Sequence, residues 1–422
     1  MSQPPAADSR DRPEIRPPPP RPRMFGALRH RNFRLFYGGV VVSFLGLWMH
    51  RVAQSWLVLE LTDSAFYVGL VDALGWLPVL VFSLYAGALA DRVSKRRLLL
   101  VTQLGAATFA LVLAGFVLAE AVTVWHVVVL AALIGVAFAF DIPARQSFVA
   151  ELVGREDLTN AVALNASAFN GSRVVGPAIA GLLIAAVGVG ACFLINGLSY
   201  LPVVAALLVM RLPPHRPAAV RRSAWADIRD GLRFIFADAR LRALILNIAT
   251  ISIFGLPVLV LMPVVARDVL ELGAVEYGWM MSAVGLGAVI GALSLAVFGH
   301  RVPRGRLLAG SSLAYGVLIV VFSLARSLPL VLALLTLLGL TLILTAALSN
   351  TLLQTIAPDA MRGRVISLYA LSFVGISPFG AVAAGAAAER FGTPAALMAG
   401  GAVCVVGTAL GVMRSRVIAE TR

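Results

Sequence analysis

Residues 87–97 read GALADRVSKRR: a glycine-led apolar stretch ends on Asp91, and four cations, Arg92, Lys95, Arg96 and Arg97, follow within six positions. Working outward, residues 65–90 and 98–119 are almost wholly apolar. Each is long enough to cross a bilayer, which takes about 20 such residues. The charged step therefore reads as a tight loop between two membrane spans, and its cations hold that loop on the cytoplasmic side.

The rest of the chain has the same texture. Of 422 residues 59% are hydrophobic and only 13% charged, with mean hydropathy +0.90, which excludes an ordinary soluble domain. The net charge of +14 is spread in short basic clusters between apolar runs, a pattern that orients helices in a membrane and does not suit a nucleic-acid partner. The two cysteines, Cys192 and Cys404, sit inside apolar runs and give neither a disulfide framework nor a metal site. The Arg- and Pro-rich residues 1–26 contain no apolar core, so they read as a disordered cytoplasmic tail and not as a cleaved signal.

Apolar length predicts twelve spans, near 33–60, 65–90, 98–119, 125–148, 159–188, 191–210, 241–266, 277–298, 307–325, 328–352, 364–388 and 394–413. With the N-terminus inside, nearly every loop arginine falls on the cytoplasmic side, and the outer loops keep only Arg267, Arg326 and Arg390. Both termini are expected in the cytoplasm. The longest connection, 211–240, divides the chain into a six-span bundle at 27–210 and another at 241–413, with a short tail at 414–422. Within the linker, Trp225, Ile228, Leu232 and Phe236 recur at helical spacing among charges, the pattern of an amphipathic helix at the membrane surface.

A shift of 204 positions places Gly87-Ala88-Leu89 on Gly291-Ala292-Leu293, and Gly176, Gly181 and Gly188 on Gly380, Gly385 and Gly392. Parallel six-span repeats describe a transporter whose substrate site lies between the halves near the membrane midplane. The loop motif resembles that of major facilitator superfamily transporters, with Gly87, Leu89, Asp91, Arg92, Lys95 and Arg96 matching and Ser94 in place of a glycine. LGLWMHRVAQSWLVLELT, FDIPARQSFVAELVGREDLTNAVALN and AVEYGWMMSAVGLGAVIGAL extend the resemblance to its bacterial enterobactin-exporter-like branch, the transmembrane secretion effectors. His50 stands where that branch has glutamine, and Asp72 where it has a small residue. The resemblance implies an all-α fold of twelve helices in two pseudo-symmetric bundles, the major facilitator fold. It also implies an inner gate in which Asp91 and nearby cations hold the halves together. Arg145, about 20 residues into an inward-running span 4, is the expected partner of Asp91 by helical rise.

In span 5, GPAIAG resembles the superfamily's exporter motif: Gly176, Pro177 and Gly181 match, while Ala180 replaces a glycine. Such residues serve helix packing and bending. Ionisable groups inside spans are costly and carry functional expectations. Asp72, Asp141 and His50 are the candidates for binding a coupling proton. By helical rise Arg51 and Asp72 lie about 13 and 10 Å from the outer ends of their helices, close enough for an ion pair. The rival role for Asp141 is to satisfy Arg145. Arg51, Asn165, Arg173, Asn247 and Gln354 are the candidate cavity residues, and Arg173 is placed to counter an anionic substrate.

No P-loop, HExxH, GxSxG or CxxC pattern occurs, which argues against an ATP-driven pump or an enzyme. The expectation is a proton-coupled exporter of small hydrophobic or amphipathic molecules, siderophore-like or drug-like, in the bacterial inner membrane. It would act as a monomer and need no cofactor. An importer, a lipid flippase or a non-transporting receptor on the same fold are the alternatives.

Overall fold

The computed structural model describes residues 25–211, 224–299 and 301–413. Residues 1–24 of the expected tail, 212–223 of the linker and the tail at 414–422 lie outside the described residues.

Twelve helices among the described residues are long and apolar enough to span a membrane: Arg31–Thr62, Ala65–Ser83, Lys95–Leu118, Val124–Gly154, Glu156–Val187 and Val189–Val209 in the first half, then Ala239–Val260, Ala274–Phe298, Arg304–Leu324, Leu328–Ile356, Asp359–Phe391 and Thr393–Gly411. We number them spans 1 to 12. The even count brings residues 25 and 413 to the same end of the bundle, called here the terminal end, and the opposite end is the distal end.

Local chemistry sets the breaks. Span 1 stops at Asp63, whose φ of 49° places it in the left-handed region that a short polar residue tolerates, and Ser64 then caps span 2 by accepting from the Tyr67 N–H at 3.4 Å. Spans 5 and 11 end on Gly188 and Gly392, with φ of 83° and 85°, so one repeat-related position turns the chain in the same way twice. Gly154, at φ 71°, separates spans 4 and 5 in an otherwise continuous helix. Spans 7 and 11 each widen into a π turn, Ile251–Gly255 and Leu371–Gly375, just before Pro257 and Pro378, where the missing proline N–H interrupts the helical ladder.

The halves meet along two seams that repeat each other. In one, the Gly69 backbone of span 2 lies against the Ala381 carbonyl of span 11, and Gly385 lies against the Ala65 carbonyl; Cβ atoms there would stand 2.3 and 2.8 Å from those oxygens. In the other, Gly278 of span 8 lies against the Pro177 carbonyl of span 5, and Gly181 against the Ala274 carbonyl, both at 2.5 Å by the same measure. Only glycine permits such an approach of backbones.

Apolar packing differs between the two ends. At the distal end a single cluster joins both halves, running from Val52, Leu59 and Val68 through Ile184 to Tyr277, Phe322 and Leu335. At the terminal end the packing splits. One cluster around Phe33, Phe36, Phe148 and Leu207 belongs to the first half, and another around Ile235, Leu308, Leu348 and Leu368 belongs to the second. The linker helix, Ala224–Ala237, joins the second of these: Ile235 is buried and Gly231 sits against Leu368 and Arg364 of span 11. Leu232 and Phe236 of its expected apolar face point outward.

Candidate transport pathway

The split packing leaves a cleft between the halves that opens toward the terminal end. Span 5 shows it residue by residue. Val162, Ala166 and Phe169, at helical spacing on one face, are exposed, whereas Gly176, Pro177 and Ala180 further along are buried. Arg173 stands where one regime gives way to the other. One turn beyond it, Gly176 packs on Trp48 of span 1 and Pro177 on span 8, so Arg173 lies on the face of span 5 between those two helices, toward the molecular axis.

The distal end is shut by polar contacts between the halves. Arg267, in the connection after span 7, pairs with Asp63 at 2.9 Å and donates to the Leu59 carbonyl at 3.0 Å; Asp268 holds it from the other side at 2.6 Å. The Asp268 hydrogen bond, with Asp63 behind it, keeps the Arg267 pKa above the ordinary guanidinium value. Glu389 of span 11 accepts from the Ser64 hydroxyl at 3.0 Å and from the Phe66 N–H at 3.4 Å, placing a carboxylate at the N-terminus of span 2. Sequence reading did not single out these residues. A signal was present, because Asp63 and Arg267 lie 204 positions apart, the period of the repeat.

Between spans 1, 2 and 4 of the first half a cavity of about 50 Å³ is lined by His50, Arg51, Gln54, Ser55, Asp72 and Trp76, with apolar residues around them. That volume suits a few water molecules. His50 reaches Gln54 at 3.0 Å through Nε2, and its buried Nδ1 has no partner among the described residues. Arg51 and Asp72 share the cavity but form no ion pair. The guanidinium lies over the Trp76 ring at 4.4 Å and near Trp48 at 5.9 Å, so cation–π attraction, about 0.5–2 kcal/mol each, replaces the expected salt bridge. Asp72 has no hydrogen-bond donor among the described residues. Tyr277 of the second half reaches this region, stacked on Trp56 at 5.7 Å and beside Ser55.

Asp141 is the opposite case. It is 4% exposed and accepts from Arg145 Nε at 2.9 Å, Arg145 Nη2 at 2.6 Å, Gln103 Nε2 at 2.7 Å and Thr102 Oγ1 at 3.2 Å. The expected Asp91–Arg145 pair is therefore corrected on one side: the partner of Arg145 is the carboxylate one turn back on its own helix, which is already in place when the helix forms. The Asp91 side chain lies outside the described residues. Of its neighbours, Gly87 faces open space, Arg92 is exposed, Lys95 pairs with Glu151 at 2.6 Å and Arg96 donates to the Leu208 carbonyl at 2.9 Å. The last two cations thus bind the loop to its own half.

Asn247 does not line the cleft. It is 2% exposed and tied to Ser312 at 3.1 Å and Thr408 at 3.0 Å, a junction of spans 7, 9 and 12 inside the second half. Gln354 bonds Asn350 at 3.1 Å, and its own carbonyl accepts from Arg362, near the terminal end. Asn165 is half-buried on span 5.

Two halves related by a repeat, sealed at one end by a shared apolar core with ion pairs at its mouth and open at the other, define a transporter of the major facilitator type. A nucleoside transporter, NupG, has the same fold, with a TM-score of 0.75 over 91% of this chain and all of its own at 11% identity. Residues 23–420 match the transmembrane secretion effector family, and the chain belongs to it. It is 31% identical to the multidrug efflux pump Tap of Mycolicibacterium fortuitum, over 82% of this chain and 87% of the pump. It is 27% identical to the enterobactin exporter EntS of Escherichia coli O1:K1 / APEC, over 93% of both.

Proposed function

We propose that the protein is a proton-coupled exporter of small hydrophobic or amphipathic molecules, working as a monomer by alternating access in a bacterial cytoplasmic membrane with both termini inside. The observation that carries this reading is the asymmetry of the packing: one shared core at the distal end, two separate cores at the terminal end. On that reading the structure is open to the cytoplasm and closed to the periplasm. Substrate enters the cleft beside Trp48, Phe169 and Arg173, and the halves rock, parting the glycine seams, to expose it on the other side.

Coupling needs a carboxylate whose protonation changes along the cycle. Asp141 is poorly suited, since four hydrogen bonds, two of them from Arg145, already occupy its carboxylate. Asp72 has no such partners and shares a water-sized cavity with Arg51 and His50. A proton taken up there from the periplasmic side neutralises the charge beside Arg51, and its release to the cytoplasm restores it. The relatives named as a multidrug efflux pump and an enterobactin exporter support export as the direction.

The test is reconstitution in liposomes with a pH-sensitive dye inside and a panel of lipophilic drugs and siderophores outside. Substrate-driven proton flux is expected from wild type and Asp141→Asn protein that folds, and not from Asp72→Asn. Undiminished flux in Asp72→Asn would remove it from the coupling role, and accumulation of substrate without counter-moving protons would favour import or flipping.

A further inference from the structure

We propose that the cleft carries an anion site centred on Arg173 and that its ligands are amphiphilic acids, an aromatic or apolar body bearing a carboxylate or an ionised phenol. This rests on the transport reading above and narrows its substrate class.

The first observation is an imbalance of charge. Three cations lie deep within the spans of the first half. Arg145 has the Asp141 carboxylate, and Arg51 has the faces of Trp76 and Trp48 with Asp72 in the same cavity. Arg173 has no hydrogen bond, ion pair or ring contact among the described residues. A cation inside a bilayer protein is expensive unless something answers it. Asp141 is not free to answer it, being engaged by Arg145, Gln103 and Thr102.

The second observation is placement. The Arg173 backbone is fixed at the seam of the halves, where a Cβ on Gly285 of span 8 would lie 2.8 Å from its carbonyl oxygen. Its side chain leaves span 5 on the face between spans 1 and 8, at the inner limit of the open cleft. Movement of the halves against each other changes the surroundings of this residue directly.

The third is what lies around it. Phe169, one turn before Arg173, packs on Trp48 and Phe44 with ring centroids 5.6 and 5.3 Å away, making an aromatic wall on the cleft side. Two neutral donors on the flanking helices are buried and unpartnered: the Trp48 indole N–H on span 1 and the Ser282 hydroxyl on span 8. Ser282 shares the face of span 8 that carries Gly278 and Gly285, so it is turned toward span 5. Buried donors without acceptors are uncommon and each calls for a reason. A guanidinium and an aromatic wall at the inner limit of the cleft, with two orphan donors buried in the helices behind them, make a receptor for an acceptor-rich anion on an apolar body. The planar fork of arginine can grip a carboxylate with two parallel hydrogen bonds.

Binding of 1-pyrenebutyrate and of its methyl ester to detergent-solubilised protein at pH 7, read by quenching of tryptophan fluorescence, tests the site. Wild type is expected to bind the acid about tenfold or more tightly than the ester, as one charge-assisted contact warrants. Arg173→Gln should remove that preference by weakening the acid alone, and Arg173→Lys should fall between, keeping charge without the fork. Equal affinity for acid and ester in wild type, binding of neither, or an Arg173→Gln loss shared by both probes would overturn the anion site. Melting temperatures of the variants separate misfolding from lost recognition. The transport reading is judged apart, by flux of neutral drugs in liposomes: flux with no acid preference sinks only the anion site, and no flux of any kind sinks the reading beneath it.

Discussion

Two acids of the first half illustrate how much a residue's neighbours decide. By sequence Asp141 and Asp72 are both candidates for the coupling proton, each a carboxylate inside an apolar run. The structure gives one four donors and the other none. Removing one partner of a buried ion pair leaves an uncompensated charge and costs about 3–5 kcal/mol. Asp141→Asn is therefore expected to lower the melting temperature in detergent markedly, with Arg145 left inside against Phe44. Asp72→Asn should lower it much less, because Asp72 makes no hydrogen bond among the described residues and Arg51 keeps the faces of Trp76 and Trp48. The reverse order of the two melting temperatures would contradict both assignments. Sequence reading named the Asp141–Arg145 pair as one of two options, since i,i+4 spacing is visible in the string. It had no means to see Gln103 and Thr102, which reach Asp141 from 38 and 39 positions away.

At the scale of helices, hydropathy was a sufficient guide to number and order, because apolar length is a property of the chain alone. Boundaries moved where polar residues continue a helix past the hydrocarbon: span 11 begins at Asp359, not near 364, and span 5 at Glu156, not near 159. The glycine pattern was legible as a repeat, but its use was not. Gly181 and Gly385 pack across the seams, whereas Gly87, from the most recognisable motif, touches nothing, and its counterpart Gly291 presses on Leu340 of span 10. This yields a contrast. Gly278→Val places a side chain against the Pro177 carbonyl, a backbone atom that cannot swing aside, at an overpacking cost of about 1–3 kcal/mol. It should lower the melting temperature and abolish transport by wedging spans 5 and 8 apart. Gly75→Ala, where a Cβ meets open space, should leave the melting temperature as it was. A silent Gly278→Val would mean that the seam is not tightly closed in the resting protein.

For the whole molecule, the balance between its two open states depends on what must be broken to reach the other. Separating the distal end exposes part of the shared core, opens the glycine seams and breaks the contacts of Arg267 and Glu389; at the terminal end the two cores are already apart. Of these terms the Arg267 latch is the one that charge can reverse without touching the packing. Arg267→Glu sets a third acid beside Asp63 and Asp268, turning attraction into repulsion at the mouth. Spin labels at Glu120→Cys and Ser327→Cys, exposed positions on opposite halves at the distal end, read the separation in a Cys192→Ala, Cys404→Ala background. Arg267→Glu is expected to lengthen that distance and shift the population toward the distally open state. Adding Asp63→Asn and Asp268→Asn, which removes the repulsion and keeps a residue tolerant of the left-handed turn at 63, should bring the short distance back. If Arg267→Glu leaves the distribution where wild type has it, the apolar core and the glycine seams alone hold the distal end shut, and the repeat-related pair of opposite charges at 63 and 267 is incidental to the cycle.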